Sequence, residues 1–430
     1  MPTSDHIIRV YLTLMLGNTL AASFIWGINT IFLLDAGLSN FEAFAANAFF
    51  TAGMVLFEIP TGVVADTIGR RVSYLAGTLT LMVTTLLYVL LWQVEGPFWA
   101  WALVSVLLGL GFTFFSGAVE AWLVDALDAT GFDGSLETVF GRGQIVTGVG
   151  MLTGSVTGGY VAQLTSLGVP FVMRAAVLVM MFAFAYTAMR DVGFSRKKNT
   201  GTVREMKLIV NSSIDYGLRV PSVRWLMLAS PFTAGVSIYA FYALQPYLLE
   251  LAGDPEAYGI AGITAAIVAG AQIVGGILAP RIRGLFRLRT SALLFAVGVS
   301  AATLLLIGIF EHFWAVVGLI AVWGLLFAAS MPIRQSYLNG MIPSQQRATI
   351  LSFDSMLGSS GGVVTQPVLG RAADVWGYGS SYLLGAGISA LALPFIYLSR
   401  RQKNPADEGN GSPGEDQLNE TPPHADPMAR

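Results

Sequence analysis

Twelve apolar stretches follow one another along the chain, and each is long enough to cross a lipid bilayer as a helix. A backbone exposed to lipid must satisfy its hydrogen bonds within its own segment, so each stretch is predicted to be helical. Charged residues make up only 12% of the 430 residues, about half of their share in water-soluble proteins. The first stretch is too long, and too lightly charged ahead of it, for a cleaved signal peptide. We predict an all-α integral membrane protein with helices at 8–33, 41–62, 72–93, 98–125, 140–165, 169–190, 224–250, 256–280, 290–310, 313–340, 349–372 and 378–399.

Basic residues are confined almost entirely to one side of these helices. Of the 24 Lys and Arg residues, 21 lie near a terminus or beside a loop that follows an even-numbered helix, and the exceptions are Arg174, Arg334 and Arg371. Basic loops stay on the cytoplasmic side of a membrane. Both termini are therefore predicted to be cytoplasmic, in a multi-pass protein of the plasma or inner cell membrane.

One long connection divides the helices six and six, and an internal repeat supports the division. A shift of 212 residues places Gly150 on Gly362 and Gly158 on Gly370, within the fifth helix of each half. Parallel six-helix repeats with a substrate path between them are typical of secondary transporters. The predicted parts are a pseudo-symmetric six-helix half at 1–190, a cytoplasmic linker with an amphipathic helix at 191–222, a second half at 223–400, and a disordered cytoplasmic tail at 401–430.

Several classes of function are excluded by what the sequence lacks. There is no cysteine, and His6, His312 and His424 lie at chain ends or in a loop, so disulfides, thiol catalysis and a His- or Cys-ligated metal are not expected. No phosphate-binding loop of the G-x-x-x-x-G-K-(S/T) type occurs, so transport must draw on a gradient rather than on hydrolysis of ATP by the chain. We predict no enzymatic activity, no cofactor and no nucleic-acid partner.

The loop after the second helix carries a ten-residue motif. Gly62 and Asp66 lie one helical turn apart. The glycine permits a close helix neighbour, and an acid at a helix end can meet the N-terminal dipole of another helix. The motif reads Gly62-Val-Val-Ala-Asp66-Thr-Ile-Gly69-Arg70-Arg71.

This motif resembles the loop signature of the major facilitator superfamily, G-x-x-x-D-(R/K)-x-G-R-(R/K), except at Thr67. The resemblance implies a gating role for the loop. Arg70 is expected to bind a carboxylate bidentately, and Asp125, at the end of the fourth helix, is the predicted partner. The alternative is a basic membrane anchor that happens to contain glycines.

The fifth helix carries a second glycine motif, similar to the antiporter motif of drug:proton exchangers in that superfamily, G-x8-G-x3-G-P-x2-G-G. A stripe of glycines lets two helices approach closely, so the alternative is packing without influence on transport direction. Ser155 replaces the usual proline, and Pro367 takes the matching position in the repeat. The motif residues are Gly141, Gly150, Gly154, Ser155, Gly158 and Gly159.

Charged residues within the helices are few, and unpaired charges are costly in a membrane. The fourth helix lacks the mid-helix arginine usual in drug exporters of this kind. Instead, Glu120 and Arg142 in the first half match Arg334 and Asp354 in the second with inverted signs. We predict two ion pairs near the cytoplasmic face, structural or forming and breaking as a gate. Arg334 is expected to be the only deep base, which disfavours a phosphate or polycarboxylate substrate.

Three carboxylates are candidates for proton coupling. Glu58 lies within the second helix beside Pro60, and burial raises a carboxylate pKa towards the physiological range. It is equally suited to bind a backbone amide freed by Pro60 or an arginine of the loop. Asp35 and Glu42 flank the first external loop, where solvation is the alternative.

Polar and aromatic residues in the first and seventh helices are candidates for a substrate cavity, since these helices line the central path in the resembled superfamily. Aromatic and amide linings suit amphiphilic organic molecules, although an interfacial aromatic belt would explain some of them. The candidates are Asn18, Trp26, Asn29, Tyr239, Tyr242 and Gln245.

The resemblance implies secondary active transport by alternating access. The glycine motif favours proton-coupled efflux of hydrophobic or amphiphilic small molecules by a monomer in the lipid bilayer. The alternatives are a proton-coupled metabolite importer of the same fold and a membrane receptor that has lost transport.

Overall fold

The computed structural model describes residues 3–115, 117–194, 217–342 and 347–408, and all regular structure in these ranges is helical. The predicted amphipathic helix of the linker lies outside them. The helices are α1 Ser4–Trp26, α2 Asn29–Asp35, α3 Asn40–Thr67, α4 Arg70–Gln93, α5 Phe98–Thr113, α6 Ala118–Ala129, α7 Leu136–Leu164, α8 Gly168–Ala188, α9 Pro221–Ala252, α10 Tyr258–Gly284, α11 Arg289–Ile309, α12 Phe313–Met341, α13 Arg347–Ala390 and α14 Ala392–Arg401.

These helices make twelve passes. Eleven helical stretches in the described part of the chain are long and apolar enough to span a membrane, and the last, Ile350–Arg401, contains 52 residues. That length is over twice what one pass needs, and the helix bends at Gly377, where φ is +81°. Two passes are themselves interrupted. The first is broken after α1, just before Gly27, and the fourth is broken between α5 and α6 at Gly117, where φ is +66°. The predicted number of spans is confirmed.

The twelve passes form two six-helix halves that pack alike. In the first half α1 packs on α7, α3 on α5 and α4 on α8; in the second, α9 packs on α13, α10 on α12 and α11 on α13 and α14. The halves meet where α3 packs on α13 and α7 on α10. This arrangement places the two halves face to face around a central space.

The two ends of the bundle differ in charge. We call "basic end" the end with the N-terminus, the α3–α4 loop and residues 402–408, and "far end" the opposite end with the α2–α3 and α9–α10 loops. Large apolar side chains such as Leu164, Ile145 and Trp314 stay exposed on the outside, as expected for a surface that faces lipid.

The start of the tail is ordered, so the prediction of disorder from 401 onwards is wrong for residues 402–408. Asp407 is only 3% exposed. Its two carboxylate oxygens accept hydrogen bonds of 2.7 Å from the backbone N–H and the hydroxyl of Thr290. A carboxylate there satisfies a free N–H of the first turn of α11 and meets the positive end of its dipole. Residues 409–430 lie outside the described part.

Candidate functional site

Arg70, the first residue of α4, lies between two carboxylates at the basic end. Its Nη1 atom is 2.5 Å from Oδ1 of Asp66, and its Nε atom is 3.8 Å from Oδ2 of Asp125. The structure thus brings the predicted partners together, although Asp125 is approached by one nitrogen rather than bidentately. The loop motif connects the ends of α3, α4 and α6.

A carboxylate that sequence reasoning missed completes this cluster. Asp191, just after α8, accepts the backbone N–H of Arg71 at 2.9 Å. A Cβ at Gly69, which has φ of +139°, would lie 2.4 Å from Oδ2 of Asp191, so glycine is required there. Burial raises the pKa of the Asp191 carboxyl, while the hydrogen bond from Arg71 opposes that rise. Asp191 therefore receives the N-terminus of α4, the role expected of Asp66.

The rest of the motif is less tightly packed. The guanidinium of Arg71 lies 5.0 Å from the ring centroid of Tyr186 and donates to its carbonyl oxygen. Apart from its chain neighbours and the adjacent backbone of its own helix, no atom of the described residues lies within 4 Å of a Cβ built at Gly62. The close helix neighbour predicted at Gly62 is thus not present in this conformation.

The glycine stripe of α7 lies against α1. A Cβ at Gly158 would be 1.9 Å from the carbonyl oxygen of Phe24, and one at Gly154 would be 2.6 Å from Cβ of Ser23. Gly150 has looser contacts, from 3.4 Å, and Gly141 has none within 4 Å among the described atoms. The predicted close approach of two helices is seen at Gly154 and Gly158.

The neighbouring face of α7 meets α10 of the other half. A Cβ at Gly159 would lie 2.8 Å from Cα of Gly262, and one at Gly262 would lie 2.6 Å from the carbonyl oxygen of Ser155. A Cβ built at Gly27, where the first pass is interrupted, would lie 2.9 Å from Cα of Gly262. Glycines thus join α1, α7 and α10 across the halves.

Only one of the two predicted ion pairs is formed. Arg334 and Asp354 make a bidentate pair, with N–O distances of 2.5 and 2.6 Å, and Asp354 is buried. Glu120 and Arg142 are not paired: Arg142 is exposed, and Glu120 faces a cavity. The prediction of a second pair is wrong for this conformation, because the break at Gly117 separates Glu120 from the straight pass that the repeat alignment assumes.

A cavity of about 610 Å³ lies between the halves, in the part of the bundle nearer the basic end. Its wall is mostly apolar, and the charged residues that line it within the described part of the chain are the carboxylates Glu58 and Glu120. Glu58 is half-buried. The apolar wall includes Met54, Val55, Phe112, Phe115, Leu351 and Met356.

A second cavity of about 420 Å³ lies within the C-terminal half and shares Leu351, Ser355 and Ser359 with the first. It contains the Arg334–Asp354 pair and many hydroxyl and amide groups, namely Ser230, Thr233, Ser237, Ser300, Ser330, Gln335, Asn339 and Ser389. We call this second cavity the polar chamber for these groups; the rest of its wall is apolar, as in the first cavity.

At the far end the halves are joined by hydrogen bonds. Asp374 accepts the backbone N–H groups of Asn40 and Phe41, each at 2.9 Å. Gln245 accepts from the backbone N–H of Thr30 at 3.0 Å and donates to the carbonyl oxygen of Trp26 at 2.6 Å. The structure is closed at the far end, with its cavity towards the basic end.

The six residues predicted to line the substrate cavity line neither large cavity. Three of them have hydrogen-bond partners elsewhere in the helices: Asn29 donates to Asn47, Tyr239 donates to Ser381, and Asn18 accepts from Tyr74. Trp26 and Gln245 bridge the halves, and Tyr242 packs edge-on against Phe241. That prediction is wrong for this conformation, because sequence does not show which end of the path is closed.

Asp35 and Glu42 have structural partners. Asp35 accepts the indole N–H of Trp92 at 2.7 Å. Glu42 forms a reciprocal capping box with Ser39 at the start of α3, a common device at helix N-termini. Of the three predicted proton-coupling carboxylates, only Glu58 faces the cavity.

Arg334 is not the only deep base. Arg174 in α8 is 2% exposed, and its guanidinium carbon lies 5.7 Å from the ring centroid of Phe112. Arg174 lies six residues inside a span that starts at Gly168. That position in the sequence indicates a base within the membrane.

Comparison with known proteins places this geometry in a family. A family model described as Major Facilitator Superfamily matches residues 11–305 and 287–423. An uncharacterised MFS-type transporter of Methanocaldococcus jannaschii is 22% identical over 225 residues, which cover 52% of this chain. The match spans only 56% of that relative's own length.

Solved transporter structures share the fold. The nucleoside transporter NupG has a TM-score of 0.74 at 14% identity, over 92% of this chain and 99% of that one. A peptide transporter in complex with sulfate has a TM-score of 0.71 at 13% identity, over 94% and 96%. A D-xylose–proton symporter has a TM-score of 0.66 at 15% identity, over 92% and 97%. At such identities these likenesses show the twelve-helix fold alone.

Proposed function

Because the chain belongs to the major facilitator superfamily, and is thus a membrane transporter rather than an enzyme, we propose that it exports hydrophobic or amphiphilic small molecules in exchange for protons. The two halves rock about the central space and expose it alternately to either side, as in other two-repeat transporters. By the positive-inside rule the basic end is cytoplasmic, in the plasma or inner membrane.

The observation that carries this proposal is the cavity between the halves. Its mostly apolar wall also carries two carboxylates and the hydroxyl groups of Thr113, Ser352, Ser355 and Ser359. Such a lining suits amphiphilic molecules, and the cavity faces the basic end while the far end is closed. A molecule entering from the cytoplasm meets Phe112, Met54 and Met356. Since methionine and aromatic side chains adapt to varied shapes, such a wall fits an exporter of several related compounds.

Glu58 is the proposed coupling residue, and Glu120 a second carboxylate of the same space. Both line the cavity, so each can exchange protons with solvent that enters it. Proton binding from the far side and release to the basic side would then drive export.

The cluster of Asp66, Arg70, Asp125 and Asp191 is proposed to be the gate at the basic end. It joins α3, α4, α6 and the end of α8. All these contacts lie within the N-terminal half, so the proposed gate closes when rocking brings these joined helix ends against the C-terminal half. The glycine contacts of α7 with α1 and α10 are proposed to provide the pivot, since small residues permit close sliding surfaces.

The polar chamber favours a second candidate, a proton-coupled importer of a polar metabolite. Its hydroxyl and amide groups offer hydrogen bonds, which an exporter of purely apolar compounds would not need.

Everted membrane vesicles with an imposed proton gradient distinguish the two candidates. We expect ethidium or Nile red to accumulate in vesicles that contain the protein, and Glu58→Gln to abolish accumulation. Glu311→Gln, an exposed carboxylate in a far-end loop, is the matched control and should accumulate dye like the natural protein. Failure of both dyes, with proton-driven movement of a polar metabolite, would favour the importer.

A further inference from the structure

Arg174 is buried in the N-terminal half without a counter-charge. It lies about 9 Å inside the span from Gly168, at 1.5 Å per residue, and is 2% exposed. Among the described residues, no carboxylate oxygen lies within ion-pair distance of it, and its buried Nε atom has no hydrogen-bond acceptor.

The surroundings of Arg174 come from four helices. Phe112 of α5 lies under its guanidinium, and the phenol groups of Tyr88 in α4 and Tyr242 in α9 are near enough to interact with its charge. On its own helix, Phe171 lies one turn earlier in the aromatic core. These groups are all aromatic and uncharged, and one of them, Tyr242, belongs to the opposite half.

Such a site is costly for a cation. Desolvation of an arginine is only partly offset by a cation–π contact, and intramembrane charges pair with one another or mark a ligand pathway. By contrast, the other deep base, Arg334, has Asp354 as a bidentate partner. Arg174 has the charge and the free hydrogen-bond donors for an anion that the chain itself does not supply.

The site adjoins the transport path. Phe112, which contacts Arg174, is also part of the wall of the central cavity. Phe112 is therefore common to the two sites. Glu120 follows Phe112 on the same pass and lies nearer the basic end. It does not neutralise Arg174.

We propose that Arg174 binds a single negative charge at the deep end of the transport path, either the carboxylate of an amphiphilic organic acid or a small inorganic anion. Tyr242, from the opposite half, is placed to approach the same anion, so that binding would link the halves. The carboxylate version rests on the proposed transport function, since it makes the anion part of the transported molecule.

The test is ligand-induced thermal stabilisation of the purified full-length protein in detergent, with sodium gluconate as the background salt. Sodium 4-phenylbutyrate is compared with its neutral amide, and sodium chloride is titrated separately. We expect 4-phenylbutyrate, but not the amide, to raise the unfolding midpoint. The apparent dissociation constant should rise about tenfold or more in Arg174→Met, because a hydrogen bond to a charged group is lost. Arg174→Lys should retain part of the effect.

Chloride distinguishes the two sources of the anion. Stabilisation by chloride that depends on Arg174 and leaves no further effect of 4-phenylbutyrate would identify an inorganic anion. Arg371→Met, which removes an exposed arginine, should behave like the natural protein. The proposal is overturned if neither anion stabilises the natural protein, or if Arg174→Met is stabilised equally.

Loss of binding will not be confused with loss of folding. Replacing a buried unpaired charge by an apolar side chain is expected to raise the unfolding midpoint without ligand. Binding is measured without a gradient. If 4-phenylbutyrate binds but no compound is transported in the vesicles, the proposed export function is contradicted and the anion site stands.

Discussion

The carboxylate of Asp374, in the C-terminal half, accepts the backbone N–H of Asn40, in the N-terminal half, at 2.9 Å. Its second oxygen accepts from Phe41, so one side chain caps the N-terminus of α3 from across the molecule. The hydroxyl of Tyr378 also donates to Asn40. Because a carboxylate is favoured at a helix N-terminus, this contact stabilises closure of the far end.

Asp374→Asn should shift the protein towards opening at the far end. The amide retains one acceptor but loses the negative charge, which is worth about 1 kcal/mol at such a position. The chain has no cysteine, so a single Thr30→Cys, at a fully buried position where the halves meet at the far end, reports access by its rate of reaction with an impermeant thiol reagent. We expect this rate to rise about fivefold. Asp254→Asn changes a far-end carboxylate whose hydrogen bond lies within the α9–α10 loop and should leave the rate unchanged. An unchanged rate in Asp374→Asn would contradict the role of this contact in closing the far end.

The Arg334–Asp354 pair predicts a separation of stability from transport. Asp354→Asn leaves the partly buried Arg334 without its charge partner and should destabilise the protein by about 3 kcal/mol. Adding Arg334→Gln should restore the unfolding midpoint in detergent. If the pair serves as a switch, transport stays impaired in the double variant; full recovery of transport would show that its role is structural.

The ordered start of the tail predicts a sharp boundary for truncation. Removing residues after Gln402 takes away Asp407 and its two bonds to Thr290, which should cost about 1–2 kcal/mol as for other helix caps. Removing residues only after Glu408 is the control and should leave the unfolding midpoint unchanged. Equal midpoints for the two truncations would contradict the cap.

Asp191 predicts a dependence of stability on pH. Its pKa is raised above the ordinary 3.8 by burial, so the folded protein holds this proton more tightly than the unfolded chain. The contribution of Asp191 to stability should therefore increase as the pH falls through the raised pKa, and level off below about 3.8. The difference in unfolding midpoint between the natural protein and Asp191→Asn, followed from pH 8 to pH 4, measures this. A difference that does not change with pH would show that burial does not act on Asp191 in this way.

The helices were predictable because apolar length is a local property of the sequence. The Arg70–Asp125 contact was predictable from the loop motif, and the Arg334–Asp354 pair from the tendency of charges within a membrane to pair. The same tendency wrongly predicted a pair between Glu120 and Arg142. Asp191 was not, because nothing in its neighbourhood shows that the end of α8 meets the start of α4. Asp407 was missed for a related reason: a tail poor in apolar residues is held by one carboxylate on one helix end.

The candidate substrate residues show a different limit of sequence reasoning. Gln245 and Asn29 are polar within apolar helices, which indicates either a ligand or an internal partner. The structure provides the partners, Trp26, Thr30 and Asn47. A transporter closes each end of its path in turn, and the same side chains can pair in one state and be free in the other.

The central claim is that the halves rock, closing the far end in one state and opening it in another. Phe41→Cys combined with Val375→Cys places two exposed thiols beside the Asp374 contact and keeps its hydrogen bonds. Dye accumulation in everted vesicles is measured after joining the thiols with a short bifunctional reagent, and after a monofunctional reagent as control. We predict that the cross-link stops accumulation and the monofunctional reagent does not. Accumulation at an unchanged rate with the far end joined would contradict alternating access in this protein.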